Sequence, residues 1–255
     1  MLLAIDVGNT NIVYGLFDGG TLVHQFRVES ARGRTADEYA VQLRALLAMK
    51  SIDPKFVEAA IVACVVPSLN APMLRLVESA FGREAMVVGP GIRTGMAILI
   101  ENPREVGADR IADAVAGYDR AKGGVIVVDF GTSTNFDCVT PKGEYLGGVL
   151  APGLQISADA LFTRAAKLPR VEIVRPPKVV GRNTVHAMQS GIVYGYVGLV
   201  DGIVERVQAE VGYDCSVIAT GGLASLIAPL SKTIGEIDEH LTLTGLRLLY
   251  ERNCA

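Results

Sequence analysis

Two short segments of this chain set an acidic residue at the end of an apolar run, then a glycine turn, then small polar side chains. They are Asp6-Val7-Gly8-Asn9-Thr10-Asn11 and Asp129-Phe130-Gly131-Thr132-Ser133-Thr134-Asn135. In each the glycine permits a tight turn that exposes backbone N–H groups and short hydroxyl or amide groups, donors suited to phosphate oxygens. Asp6 at its strand end could hold a Mg²⁺, directly or through water, because that ion keeps several waters and shares substrate phosphates. One Asp-x-Gly-Asn turn is also ordinary hairpin chemistry. Two copies favour the phosphate reading. A third group, Gly107-Ala108-Asp109-Arg110, opens an apolar-periodic stretch and sets a carboxylate and a guanidinium beside the orphan N–H groups of a helix start. An Asp there is more often a cap than a catalytic group.

The elements that must carry these residues repeat. Residues 2–29 read as an apolar strand into Asp6, a turn, a second strand, the Asp18-Gly19-Gly20 hairpin signal and a third alternating strand. Residues 124–151 repeat that meander, with Asp129 matching Asp6, Gly131 matching Gly8 and a turn at Pro141-Lys142-Gly143. A helix follows each meander, over Thr35 to Met49 with a Thr35/Glu38 capping box, and over Gly153 to Ala166. Further strands are expected at Ala59–Val65, Ala85–Val88 and Ser216–Ala219, and helices at Leu69–Phe81, Ala108–Arg120, Val185–Val211 and Leu241–Glu251. The repeat predicts two similar α/β domains, 1–117 and 118–255, facing each other across a cleft that is the default binding site. Gly191, Gly195, Gly198 and Gly202 fall on one face of the long helix, where either a neighbouring helix of the same chain or a second copy must pack closely.

Composition narrows the classes. Lys and Arg number 24 against 27 Asp and Glu, with no basic run, so the electrostatic footprint of a nucleic-acid-binding surface is missing. The apolar run Gly191–Val200 is too short to span a bilayer, and the N-terminal residues read as a strand rather than a signal peptide; a cytoplasmic protein with no membrane partner is expected. Cys64, Cys138, Cys215 and Cys254 lack metal-ligand spacing, and His24, His186 and His240 are isolated from one another, so reduced thiols and no zinc site are expected. No GxxxxGK[ST] occurs, which excludes a P-loop, and Gly89-Pro90-Gly91 lacks the third glycine of a dinucleotide fingerprint.

Two phosphate loops of this form, with Ala219-Thr220-Gly221-Gly222 after a late strand, resemble the acetate and sugar kinase, heat-shock protein 70 and actin superfamily. The resemblance implies duplicated ribonuclease H-like (actin-like ATPase) domains, each a mixed sheet with flanking helices. It sharpens with DVGNTN at 6–11, ENPREVGADRIAD at 101–113, DFGT at 129–132, GEYLGGVLAPG at 143–153, GRNTVHAMQSG at 181–191, ATGG at 219–222 and LTLTGL at 241–246. In this order, over nearly the whole chain, they are similar to type III pantothenate kinase.

That resemblance implies phosphorylation of pantothenate by ATP to 4′-phosphopantothenate, at the start of coenzyme A synthesis, by a homodimer. It implies ATP contacts from Asp6, Val7, Gly8, Asn9, Thr10, Asn11, Ile12, Val13 and Thr132. Pantothenate contacts would come from Gly107, Ala108, Asp109, Arg110 and Thr184, and Asp129 would bind a monovalent cation, K⁺ or NH₄⁺, beside the Mg²⁺ associated with Asp6. Asp109 would be the catalytic acceptor of the hydroxyl proton, although an Asp of ordinary pKa, ~3.9, is a weak base for an alcohol, so orientation is its chief task. Arg110 would meet the substrate carboxylate. A regulatory protein on the same scaffold, or another kinase or phosphatase of the superfamily, is the alternative; retention of Asp6, Asp109, Arg110, Asp129 and Thr184 argues against the first. Three positions depart from the family pattern: Ile100 stands where Tyr is usual, and Ser133 and Asn135 stand where Ala and Thr are commoner.

Overall fold

The computed structural model describes residues 1–254. Contacts divide the chain into two compact units: residues 1–96 and 101–116 with the segment from Leu241 onward, and residues 97–100 with 117–240.

The first unit begins with the meander β1 (Leu2–Val7), β2 (Asn11–Asp18) and β3 (Thr21–Glu29), followed by α1 (Ala36–Met49), β4 (Ala59–Cys64), α2 (Pro67–Phe81) and β5 (Ala85–Val87). Its sheet runs β3-β2-β1-β4-β5, with β4 parallel to β1 and β5 parallel to β4. The central strand β1, LLAIDV, is apolar at every position before Asp6 because both of its faces are covered. Leu3, Ile5 and Val7 point into a core with Tyr39, Leu43 and Leu47 of α1 and Leu69, Met73 and Leu76 of α2. Leu2 and Ala4 point the other way, against Ala112 and Val115 of α3 (Ala108–Ala121) and Leu243, Leu246 and Leu249 of α7 (Leu241–Cys254). The α1 capping box is present: Thr35 Oγ1 accepts from Glu38 N–H at 3.3 Å, and Glu38 Oε2 accepts from Thr35 N–H at 2.7 Å. Helix α2 starts two residues before the expected Leu69, at Pro67, whose missing N–H costs nothing in the first turn.

The second unit contains β6 (Ala97–Ile98), the meander β7 (Val125–Phe130), β8 (Ser133–Val139) and β9 (Glu144–Pro152), then α4 (Leu154–Arg164), α5 (Thr184–Val211), β10 (Ser216–Thr220), α6 (Ala224–Ile227) and β11 (Glu236–Ile237). Its sheet order, β11-β10-β7-β8-β9-β6, repeats the order of the first sheet and adds β6 at one edge. Ile192, Val193, Tyr196, Val200 and Val204 of α5 pack on Ile126, Val128 and Phe130 of β7. The duplicated α/β plan, two mixed sheets with flanking helices, is thus carried in topology as well as in motif.

The division of the chain differs from a single break at 117/118 with everything after it in the second domain. Helix α7 packs with the first unit, because its leucines fill the outer side of the first sheet. Its periodicity marks an apolar face without saying which sheet that face covers. Strands β6 and β11, of two residues each, were not anticipated, being too short to show alternation. On α5, a Cβ added at Gly191, Gly195 or Gly198 would meet nothing within 4 Å, so among the described residues no helix of this chain packs on that glycine face.

Candidate active site

The first loop is a closed turn. Val7 pairs with Ile12, and Gly8 N–H donates to the Asn11 carbonyl at 3.0 Å. Residues just beyond β3 hold it from behind: Ser30 Oγ–H donates to Gly8 O at 2.6 Å, Ser30 N–H to Thr10 O at 3.0 Å, and the Arg32 guanidinium to Asn9 Oδ1 at 3.2 Å. Asn9 and Thr10 are exposed, whereas Val7 and Ile12 are wholly buried, so those two offer a ligand only their main chain. Asp6, Asn11 and Val13 are half-buried, Val13 against the outer core of the first unit. Sequence reading missed Ser30 and Arg32. The available signal was that β3 must end beside the first turn, since Glu29 pairs with Asn11.

Gly107 starts α3, its carbonyl accepting from Ile111 N–H at 3.1 Å. A Cβ on Gly107 would fall 2.5 Å from Asp109 Oδ1, so only glycine leaves room for the carboxylate in this conformation. Asp109 Oδ1 accepts the Arg110 N–H at 2.8 Å, covering one orphan donor of the helix start. Burial pushes the Asp109 carboxyl above its usual range, opposed by the Arg110 N–H and guanidinium. This corrects the expectation of an ordinary Asp: desolvation makes it a stronger base. Val65 links this helix start to the first loop, its N–H donating to Val7 O at 3.1 Å while Val65 Cγ1 lies 3.5 Å from the Cβ position of Gly107. Ala108 and Arg110 are half-buried in the same turn.

In the second unit, Gly131 N–H donates to Ser133 O at 3.0 Å, and the exposed Thr132 is pinned through its carbonyl by Gly153 N–H at 3.1 Å. A Cβ on Gly153 would fall 2.3 Å from Thr132 O. Ser133 and Asn135, the second-loop departures from the family pattern, bond to each other: Ser133 Oγ–H donates to Asn135 Oδ1 at 2.8 Å. The half-buried Asp129 carboxylate lies between two glycines, with Oδ2 3.2 Å from the Cβ position of Gly131 and Oδ1 2.5 Å from that of Gly221. Ile100 packs on Gly147, whose Cβ position is 3.2 Å from Ile100 Cγ2.

Thr184 is the exposed first residue of α5, capped by Asn183, whose Oδ1 accepts from His186 N–H at 2.8 Å. It lines a cavity of about 830 Å³ with Ser157, Leu161, Asn183, Met188 and Tyr196. The Tyr196 O–H donates to Pro152 O at 2.6 Å and its oxygen lies 2.6 Å from Ser157 Oγ, which ties α4 and the end of β9 to α5. Among the described residues no three His, Cys, Asp or Glu cluster as a metal cage. Single carboxylates at Asp6 and Asp129 match instead an ion that takes much of its coordination from water and phosphate. No helix among these residues is long and apolar enough to cross a membrane.

Comparison with known proteins places these features in context. The family model described as type III pantothenate kinase matches residues 2–206. A type III pantothenate kinase of Myxococcus xanthus is 58% identical over 255 residues, covering 100% of both chains. Among solved structures, a conserved Baf family transcriptional activator from Campylobacter jejuni aligns over 99% of this chain and 98% of its own with a TM-score of 0.63 at 17% identity. The ethanolamine utilization protein EutJ from Carboxydothermus hydrogenoformans aligns over 97% and 89% with a TM-score of 0.54 at 18% identity. The structural likenesses, at such identities, speak for the shared fold alone.

Proposed function

Because this chain belongs to the type III pantothenate kinase family, we propose that Asp109 orients the primary hydroxyl of pantothenate and takes its proton as ATP phosphorylates it in the first step of coenzyme A synthesis. The observation that carries this reading is the position of Asp109: part-buried, with a raised pKa, at a helix start that Val65 joins to the first phosphate loop.

The exposed N–H groups and side chains of Asn9 and Thr10, in a turn stiffened by Ser30 and Arg32, receive phosphate oxygens of ATP. Thr132, held by Gly153, does the same from the second loop. The acceptor oxygen forms a bond to the γ-phosphorus, the bond from that phosphorus to the β,γ-bridging oxygen breaks, and ADP leaves with the electron pair. The hydroxyl proton passes to an Asp109 carboxylate oxygen. In a loose transition state that proton leaves late, so holding the oxygen in line matters as much as basicity. Arg110 offers a planar fork to the pantothenate carboxylate, and Thr184 contributes from the rim of its cavity. Asp6 would hold Mg²⁺, directly or through water, and Asp129 a K⁺ or NH₄⁺; bound there, the ions offset the charge that builds on the phosphates.

The open face of α5 at Gly191, Gly195 and Gly198 supports a homodimer in which a second copy packs where, among the described residues, no helix of the same chain does. A cytoplasmic setting suits the chemistry. To test the reaction, purified protein is incubated with ATP, Mg²⁺, K⁺ and pantothenate and the products are analysed by mass spectrometry. Formation of 4′-phosphopantothenate is expected. Full turnover by Asp109→Asn would remove Asp109 from its role.

A further inference from the structure

Ala219-Thr220-Gly221-Gly222, a motif of the family resemblance, ends β10 and forms the turn after it. Strand β10 runs parallel to β7 with Thr220 opposite Asp129, so Gly221 is the first residue past the paired strands. It has φ +89°, a conformation that side-chain-bearing residues rarely adopt. A Cβ there would lie 2.5 Å from Asp129 Oδ1 and 2.7 Å from both the N and the O of Phe130. Phe130 is strand backbone paired with Thr134 and cannot yield, so a Cβ would push the Gly221 turn itself aside, away from the carboxylate that rests against it. On its other side that carboxylate faces the Cβ position of Gly131 at 3.2 Å.

We propose that Gly221 is a positioning residue for the monovalent-cation site: lacking a Cβ, it lets the Asp129 carboxylate rest against the main chain of the turn, in the orientation in which it binds K⁺ or NH₄⁺. This rests on the assignment of a cation to Asp129. The carboxylate supplies one negative charge on a hard oxygen donor, suited to a hard ion of low charge. The glycine orients the ligand without touching the ion, as outer-shell partners do. The turn after β10 thereby sets the geometry of the cation ligand.

The test uses the whole protein, first without nucleotide. In wild type, the amide resonances of Phe130 and Gly221 should shift on titration with KCl and stay in place with NaCl at equal ionic strength. In Gly221→Ala, the K⁺ concentration giving half-maximal turnover should rise about tenfold or more, the usual scale for an outer-shell change, while the KM for pantothenate stays near the wild-type value. If wild type responds to K⁺ but Gly221→Ala keeps the wild-type half-saturation, the role of Gly221 is overturned and the cation site stands. If wild-type turnover and spectra are the same in K⁺ and Na⁺, the cation assignment itself fails, and this inference with it. Should Gly221→Ala not fold, the wild-type spectra decide, and a Gly221 amide indifferent to K⁺ overturns the proposal.

Discussion

Ionised Asp109 sits where burial disfavours its charge, and the Arg110 N–H and guanidinium only partly relieve it. The sign follows: with the folded pKa above the unfolded one, the ionised carboxylate opposes folding at neutral pH. Asp109→Asn should therefore keep or raise the melting temperature while kcat falls about 10²- to 10⁴-fold, the range for loss of a positioned acid–base group. Both are read on one preparation by calorimetry and a coupled ADP assay. The proton must be accepted, so activity should fall as pH drops through the raised pKa, on a limb lying above the ordinary carboxylate range. The pH profile of kcat/KM measures it, and Asp109→Asn should lack that limb. Asp6, Asp109 and Asp129 were legible in sequence because each stands in a local pattern of glycine and small polar residues. Ser30 was not, and Gly221 stood out only as part of a motif without its contact to Asp129, because each lies against a residue of another strand. No local spacing encodes that contact.

Elements depend on similar cross-chain ties. In α5, Asp201 Oδ1 accepts from Ser231 Oγ–H at 2.6 Å, Thr233 Oγ1–H at 2.8 Å and Lys232 N–H at 3.2 Å, fastening the loop that leads into β11. Burial alone would raise its pKa, but these donors outweigh it and hold the carboxyl below its usual value. The stability it contributes is present above the unfolded pKa and lost as pH falls through the depressed folded one. Asp201→Asn should cost about 1.5–3 kcal/mol, the scale of hydrogen bonds to a charged group, and its melting temperature should converge with wild type in acid. In the first unit a Cβ on Gly245 would fall 2.0 Å from Ala112 O, so α7 crosses α3 in backbone contact. Gly245→Ala should destabilise by about 1–3 kcal/mol, the cost of overpacking, measured by urea titration. Meanders and helices were legible from period-2 and period-3.6 patterns and a capping box. What those periods omit is the partner of each face, as α7 and the glycine face of α5 both show.

At the scale of the molecule, the open α5 face predicts a dimer by sedimentation equilibrium, and Gly195→Arg should shift the protein toward monomer. Far-UV circular dichroism should stay unchanged, because a Cβ at that position meets nothing within 4 Å among the described residues. The duplication was visible in the two aspartate loops, and both sheets keep its strand order. The route of the chain was not visible: it leaves the first unit briefly at 97–100, leaves it again in mid-α3 and returns at Leu241. During synthesis that route imposes an order of events. Leu243, Leu246 and Leu249, which close the outer core of the first sheet, are translated only after the whole of 117–240. A nascent chain holds the first loop and Asp109 on a sheet with one side covered by α3 but not yet by α7, while the second unit already has all of its strands. A ribosome stalled before Leu241 has emerged should display a protease-resistant second unit and a sensitive first one, since domains fold as their own segments become available.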